Sequence, residues 1–176
     1  MKKQAGFSLV ELMTVLAVLS ILAVMAVGAT MSYGARTQAA EGLQVTEGLR
    51  SSMTTAYADR GRVPVQSLIE LYGTGVPGSL ATDHLGKYTA TVDIENGHLV
   101  VTYGLDADPI LVGDVLMMTP YETRGGGIIW SCGTALPPVD SLGAPLSLAG
   151  TVAGSPVGVA TSTTTLDGEF LPRDCK

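Results

Sequence analysis

Glu11 is the one charged side chain inside a long apolar stretch near the start of the chain. The residues from Leu12 to Tyr33 include no Asp, Glu, Lys or Arg. An ionised carboxylate in hydrocarbon costs several kcal/mol unless it is paired, and charges at such depth usually have a function. We therefore predict that Glu11 pairs with a cation held in the same apolar layer. The alternative is that its side chain reaches the lipid head groups from the end of the helix.

A pair of small residues, Ala5 and Gly6, lies before this apolar stretch rather than after it. An ordinary secretory signal places its small residues after the apolar core, so that cleavage discards the hydrophobic segment. A peptidase that cuts after Gly6 would instead leave the apolar helix on the mature chain, beginning at Phe7. The Phe7 amine of a neighbouring copy could then supply the cation that Glu11 requires.

The uncharged span is long enough to cross a bilayer. At about 1.5 Å per residue, a helix over Leu12–Tyr33 covers the roughly 30 Å of the hydrocarbon core. Lys2 and Lys3 precede the span and only Arg36 follows it closely, which predicts a cytoplasmic amino terminus. The precursor is therefore predicted to be a single-pass membrane protein with the rest of the chain outside.

The order of basic leader, short motif and apolar helix resembles the class III signal peptide of type IV prepilins. The motif runs from Gly6 to Glu11 and reads GFSLVE. The resemblance implies that a prepilin peptidase removes residues 1–6 by cutting between Gly6 and Phe7, and that it N-methylates Phe7. It also implies that residues 7–34 form a transmembrane helix that later packs into a filament core, where Glu11 and Phe7 take part in assembly.

Charge and composition limit what the rest of the chain can do. The 176 residues carry 10 Lys and Arg against 16 Asp and Glu, a net charge of −6, and loss of Lys2 and Lys3 would make it −8 before the new amine is counted. Such a surface is poor for general nucleic-acid binding, which needs clustered cations. With 22 Gly and only short apolar runs after residue 60, the chain favours a small sheet with long loops over an enzyme-sized α/β body.

The fold class predicted from these patterns is α+β. Residues 35–60 are expected to continue the helix as an amphipathic half that ends near Gly61. Helical periodicity places Glu41 on the face away from the head, and the face against the head is expected to consist of Ala35, Ala39, Leu43, Thr46, Leu49, Met53, Ala56 and Tyr57. Gln66–Tyr72 favours two helical turns. Asn96-Gly97 is a strong turn signal between strands over 88–95 and 98–103. Two further strands are predicted, over Val115–Tyr121 and Ile128–Cys132. The long helix would therefore pack on a four-stranded antiparallel sheet.

Cys132 and Cys175 are the two cysteines, and both fall in the part predicted to lie outside the membrane. An oxidising compartment favours a disulfide over the alternative of two unpaired thiols. Closing a loop of this size contributes roughly 4 kcal/mol in the chain-entropy model. The bond would hold the loop-rich segment 133–176 to the last strand.

The other polar residues show no pattern of a catalytic or cofactor site. His84 and His98 are predicted to be surface residues near turns, without further ligands at zinc-like spacing. Asp106, Asp108 and Asp114 favour a solvated loop over calcium, because the glycine and closing glutamate of an EF-hand loop are absent. No metal or other cofactor is predicted, and the protein is not expected to be an enzyme.

The resemblance to type IV pilins extends along the whole chain. It rests on ARTQ at 35–38, EGL at 41–43, IWSC at 129–132 and LPRDC at 171–175. It implies a type IVa major pilin with an αβ-loop over 61–86, a sheet over 87–132 and a disulfide-bounded D-region over 133–176. The implied partners are other pilin subunits, the prepilin peptidase and the pilus assembly machinery of the inner membrane.

The implied function is that of a subunit that polymerises through its N-terminal helix into a retractable surface fibre. Such fibres serve adhesion to host or abiotic surfaces and twitching motility, whereas DNA uptake is a further role that the negative charge does not favour. A minor pilin, at the tip or binding DNA, and a type II secretion pseudopilin share the amino-terminal motif and are the alternatives. In the filament, local melting of the helix is expected between Ser20 and Gly34, since Gly28 and Gly34 weaken it.

Overall fold

The computed structural model describes residues 6, 8–104, 106–151 and 163–176. The chain divides into two compact units, Met1–Gly34 and Ala35–Lys176. The first unit contains the apolar part of a long helix. The second unit, called the head below, contains the sheet and the hydrophobic core.

The predicted long helix consists of α1 (Leu9–Val45) and α2 (Glu47–Asp59), separated by a turn at Thr46. The Thr46 hydroxyl donates a hydrogen bond to the Leu43 carbonyl at 2.8 Å. Bonds of this kind compete with the helical ladder and bend helices, which accounts for the interruption at this residue. Helix α1 is continuous over the segment Ser20–Gly34, so melting of that segment in a filament stays a prediction.

The end of α2 and the short helix after it lie where the sequence predicts them. Gly61 follows α2 with a positive φ of 68°, a conformation that glycine adopts without strain. Helix α3 (Leu68–Tyr72) lies inside the predicted Gln66–Tyr72 segment. The Ser67 hydroxyl caps it by accepting the Glu70 amide hydrogen at 3.2 Å.

The predicted four-stranded sheet is confirmed, with one addition. Its strands are β1 (Thr89–Glu95), β2 (His98–Tyr103), β3 (Val115–Glu122), β4 (Ile128–Cys132) and a short β5 (Ser147–Leu148). Strands β1 to β4 are antiparallel neighbours in chain order, and Asn96-Gly97 forms the turn between β1 and β2. Strand β5 pairs with Tyr121 and Glu122 at the end of β3.

The hydrophobic core of the head lies between the amphipathic half of the helix and one face of the sheet. The members of the predicted helix face that are buried are Ala35, Ala39, Thr46, Leu49, Met53 and Tyr57. The four apolar residues from Ala35 to Met53 cluster with sheet residues that include Val92, Leu99, Leu116 and Met118. Tyr57 belongs to a second, smaller cluster with Ala149. The Tyr103 hydroxyl donates to the Ala39 carbonyl at 2.6 Å, so a buried polar group also joins the helix to the sheet.

A disulfide between Cys132 and Cys175 bounds the C-terminal region, as the predicted fold requires. Next to the bond, the Thr134 amide donates to the Cys175 carbonyl at 2.9 Å. The Gly133 amide donates to the Met117 carbonyl of β3, also at 2.9 Å. The end of the chain is thereby fixed to β4 and to Thr134 just after it, while Gly133 continues the pairing with β3.

Two polar residues lie elsewhere than the sequence predicts. His98, expected at the surface, is 1% exposed because it begins β2 inside the sheet, with Nδ1 3.1 Å from Thr119 Oγ1. Glu41, expected on the solvent face of the helix, is half-buried. Its two carboxylate oxygens each lie 3.3 Å from the Tyr88 amide nitrogen, which donates to them just before β1 begins.

Gly42 lies at a close approach between the helix and the sheet. A Cβ atom on Gly42 would lie 2.6 Å from the Tyr103 hydroxyl and 2.9 Å from Val101 Cγ1. Gly42→Ala is therefore expected to lower the free energy of unfolding by about 1–3 kcal/mol, the usual cost of overpacking. Urea unfolding of the full-length protein in detergent, followed through the fluorescence of Trp130, measures the change.

Gly48→Ala is the matched control for this prediction. Gly48 lies in α2, and a Cβ atom there would meet no other atom within 4 Å. Because Ala favours a helix over Gly by about 1 kcal/mol, this variant should be more stable than the parent. A Gly42→Ala protein that gains as much stability as Gly48→Ala would contradict the close packing at Gly42.

Candidate assembly surface

The apolar part of α1 is exposed in the part of the chain that the structure describes. The segment Leu9–Ala26 has a mean hydropathy of 2.5, and none of its residues is buried. By length and composition it is able to cross a membrane. A helix that is apolar on every side requires an apolar environment all round, which either lipid or other helices can provide. The first unit therefore presents a surface for lipid or for other helices.

The uncharged polar side chains of this segment bond within the helix itself. The Thr14 hydroxyl donates to the Glu11 carbonyl at 3.0 Å, and the Ser20 hydroxyl donates to the Ala17 carbonyl at 2.8 Å. Hydroxyl groups satisfied in this way enter hydrocarbon without an unpaired donor. The Glu11 carboxylate is different, because none of the described residues forms an ion pair with it.

Glu11 lies in the first turn of α1, close to the predicted cleavage point. Helix α1 begins at Leu9, and the Glu11 amide donates to the Ser8 carbonyl at 3.1 Å. Gly6 itself is exposed. Phe7, the predicted new amino terminus and methylation site, lies outside the described residues. The structure thus provides the exposed carboxylate and leaves its pairing with Phe7 as a prediction.

Two models of known families match the chain. The prokaryotic N-terminal methylation motif matches residues 1–27, and the pilin family of bacterial filaments matches residues 35–176. The chain belongs to the pilin family. With the methylation motif ahead of it, this is a type IV pilin subunit with a class III signal, and the family is one of structural subunits. No individually curated protein matches the chain.

The head of this pilin contains a buried charge that sequence reasoning missed. The Glu122 side chain is wholly buried, and its Oε1 lies 3.3 Å from Arg62 Nη1. Its other oxygen, Oε2, has no hydrogen-bond partner among the described residues. A strand signal could have located it, because the alternation of Leu116, Met118 and Pro120 places Glu122 on the same buried face of β3.

Tyr57 completes this buried cluster. Its phenol oxygen accepts the Gly150 amide hydrogen at 3.1 Å, which fastens the C-terminal region to α2. Burial is the main cause that raises the pKa of Tyr57 to about 12. The Glu122 carboxylate adds to this rise, while the Gly150 amide and the Arg62 guanidinium oppose it. Tyr57 therefore stays neutral at any physiological pH.

Two other residues considered for chemistry in the sequence, His84 and Asp108, have structural partners. His84 Nε2 lies 2.9 Å from the Gly78 carbonyl oxygen. The Asp108 amide donates to Gln38 Oε1 at 2.7 Å, which connects this acidic loop to α1. Within the described ranges, no three His, Cys, Asp or Glu side chains converge in the manner of a metal site.

The Arg62–Glu122 pair should matter for the stability of the head. Glu122→Gln keeps the shape of the side chain but removes the charge that Arg62 pairs with. Because hydrogen bonds to charged groups are worth about 1.5–3 kcal/mol, we expect a loss of that order in the free energy of unfolding. Glu47→Gln is the control, since Glu47 pairs with Arg50 on an exposed helix face where such pairs contribute about 0.5 kcal/mol or less. Equal losses in the two variants, measured by urea unfolding, would refute a special role of Glu122.

Proposed function

We propose that this pilin is processed at the Gly6–Phe7 bond, so that residues 1–6 are lost and Phe7 becomes an N-methylated amino terminus. The match of residues 1–27 to the N-terminal methylation motif supports this step. The precursor then lies in the inner membrane through residues 7–34, with its amino terminus in the cytoplasm and its head outside. Lys2 and Lys3, on the amino-terminal side of the span, favour that orientation.

The mature helix leaves the bilayer by packing against the helices of other subunits, and Glu11 aligns it. The observation that carries this proposal is the uncovered apolar segment Leu9–Ala26 with its single carboxylate. A neighbouring Phe7 amine at the same level satisfies that carboxylate only when two subunits are in register. A mismatched register leaves a charge unpaired in an apolar layer, which costs several kcal/mol.

The product is a type IVa pilus fibre in which this chain is the major subunit. Retraction of such a fibre after its attachment to a surface accounts for adhesion and twitching motility. The head supports a structural role, because the Cys132–Cys175 disulfide and the continuous core give each exposed subunit stability of its own. A minor pilin or a pseudopilin would share the amino-terminal processing but would be scarce in sheared fibres.

Intact-mass analysis of sheared surface fibres tests the processing and the role of this chain together. We expect a mass equal to residues 7–176, plus one methyl group and minus two hydrogens for the disulfide. This species should be the most abundant protein of the fibres. A mass that includes residues 1–6 would overturn the proposed cleavage. A chain present only in traces would overturn the proposed role as the major subunit.

Glu11→Ala tests the alignment of subunits. The variant should still be cleaved, because the Gly6–Phe7 bond is unchanged, but its fibre yield should fall about tenfold or more as an ion pair in an apolar layer is lost. Glu47→Ala, which removes an exposed carboxylate from α2, is the control and should assemble normally. Fibre yield is measured by quantitative shearing, and processing by the mass of the membrane-extracted protein. Normal yield from Glu11→Ala would rule out the role of Glu11 in register.

A further inference from the structure

The loop between β2 and β3 presents two aliphatic side chains to solvent. Ile110 is 58% exposed and Val112 is 55% exposed. Leu111, which lies between them, is wholly buried and belongs to the main core cluster. The middle side chain therefore anchors the loop in the head, while its two apolar neighbours remain outside the core.

Hydrogen bonds fix the shape of this loop. The Leu111 amide donates to the Asp108 carbonyl at 2.7 Å, and the Ile110 amide donates to Asp108 Oδ1 at 3.1 Å. The Gly113 amide donates to the Tyr103 carbonyl of β2 at 2.9 Å. A contact made by Ile110 would therefore not have to order the loop first, which removes one of the usual costs of binding.

The same loop is tied to a residue just after the apolar span. The Asp108 amide donates to Gln38 Oε1 at 2.7 Å. Gln38 is five residues after Tyr33 in the sequence, and five residues reach at most about 18 Å whatever the path of the chain. An aromatic residue at the end of a membrane span, such as Tyr33, typically lies at the level of the lipid head groups. With the span in a bilayer, the loop is thus within reach of the lipid interface.

The charges near the loop decide which surface suits it. Asp106, Asp108 and Asp114 lie in or beside it, and the sequence has no Lys or Arg between Lys87 and Arg124. Anionic head groups would be repelled, and so would the same loop of a second copy, because like charges would come together. A zwitterionic interface takes up the two aliphatic side chains without that repulsion.

We propose that Ile110 and Val112 dock the head on the zwitterionic lipid interface of the membrane that holds the precursor. This inference rests on the proposed function, in which residues 7–34 span the membrane and the head lies outside. Two aliphatic side chains make a weak contact by themselves. A short tether to the span raises their effective concentration at the interface to about the millimolar range, so that a weak contact is populated. The loop thereby holds the head at the membrane until the subunit enters a fibre.

Nuclear Overhauser effects between protein methyl groups and lipid protons test this contact. The full-length precursor, labelled at its isoleucine methyl groups, is placed in phosphatidylcholine nanodiscs with one chain in each disc. Ile21, inside the apolar segment, should give cross-peaks to the acyl chains. We expect Ile110 to give cross-peaks to lipid protons as well. Ile21→Leu and Ile110→Leu identify the two signals by their loss.

Ile69 of α3 is the matched control for Ile110. It has the same side chain and a similar exposure, 52%. Its neighbour Glu70 pairs with Arg60, which is at the far end of the segment 35–60 from Gln38. Ile69 should therefore give no cross-peaks to lipid. Equal cross-peaks from Ile69 and Ile110 would mean that the head lies on lipid without selecting this loop, and would overturn the proposal.

Val112→Asp tests the apolar nature of the contact. It replaces an aliphatic side chain by a carboxylate and should weaken the Ile110 cross-peaks to lipid about fivefold or more. Val76→Asp is the control, because Val76 lies on the αβ-loop with 46% exposure, and should leave them unchanged. The methyl signal of the buried Ile94 shows whether each variant keeps its fold. Unchanged Ile110 cross-peaks in a folded Val112→Asp protein would refute the contact.

The remaining outcomes separate this inference from the proposed function. Loss of the Ile110 cross-peaks alone, with those of Ile21 present, would overturn the loop contact and leave the membrane span intact. Absence of both would overturn the span and the loop contact together. In discs that hold two chains, cross-peaks from Ile110 to the second chain in place of lipid would assign the loop to a subunit contact. Stronger cross-peaks in phosphatidylglycerol than in phosphatidylcholine would contradict a zwitterionic surface.

Discussion

An exposed apolar helix is the constraint on which this molecule depends. Between Leu9 and Ala26 no side chain is buried, although most of them are aliphatic. Exposure of such a segment to water is strongly unfavourable, at about 25 cal/mol for each Å² of apolar surface. The chain is therefore stable only where lipid or other copies surround this helix, and a membrane precursor followed by a filament meets that condition at both stages.

The head can stay folded while the helix moves from lipid to a fibre, because the hydrophobic core of the head is built from its own residues. Every described residue of the main core cluster comes from Ala35 or later in the chain. The disulfide closes this part of the chain at Cys175, and the Tyr57 phenol fastens it again through Gly150. The stability of the head therefore does not require that the apolar helix be in lipid rather than in a fibre.

The parts of this fold that the sequence predicts are those determined by near neighbours in the chain. Asn96-Gly97 defines its hairpin by local turn preferences, and the helix face from Ala35 to Tyr57 follows from periodicity alone. The burial of His98 and Glu122 cannot be read from near neighbours in the chain, because it depends on the pairing of strands. For Glu122 it also depends on Arg62, which is 60 residues away in the sequence.

The proposed direction of assembly follows from what changes when a helix moves from lipid to protein. Lipid tails are as apolar as leucine, so the aliphatic side chains gain little hydrophobic free energy by the move. Charge does not draw the heads together either. After residue 34 the chain carries 15 of the 16 acidic residues and 8 of the 10 basic ones, so every head is negative and the heads repel one another. In the proposed assembly, the group whose surroundings improve most is Glu11, which exchanges a layer without a cation for one that contains the amine of a neighbour. A single ion pair would then select both the partner and the register, while the apolar surface provides packing that many arrangements could share.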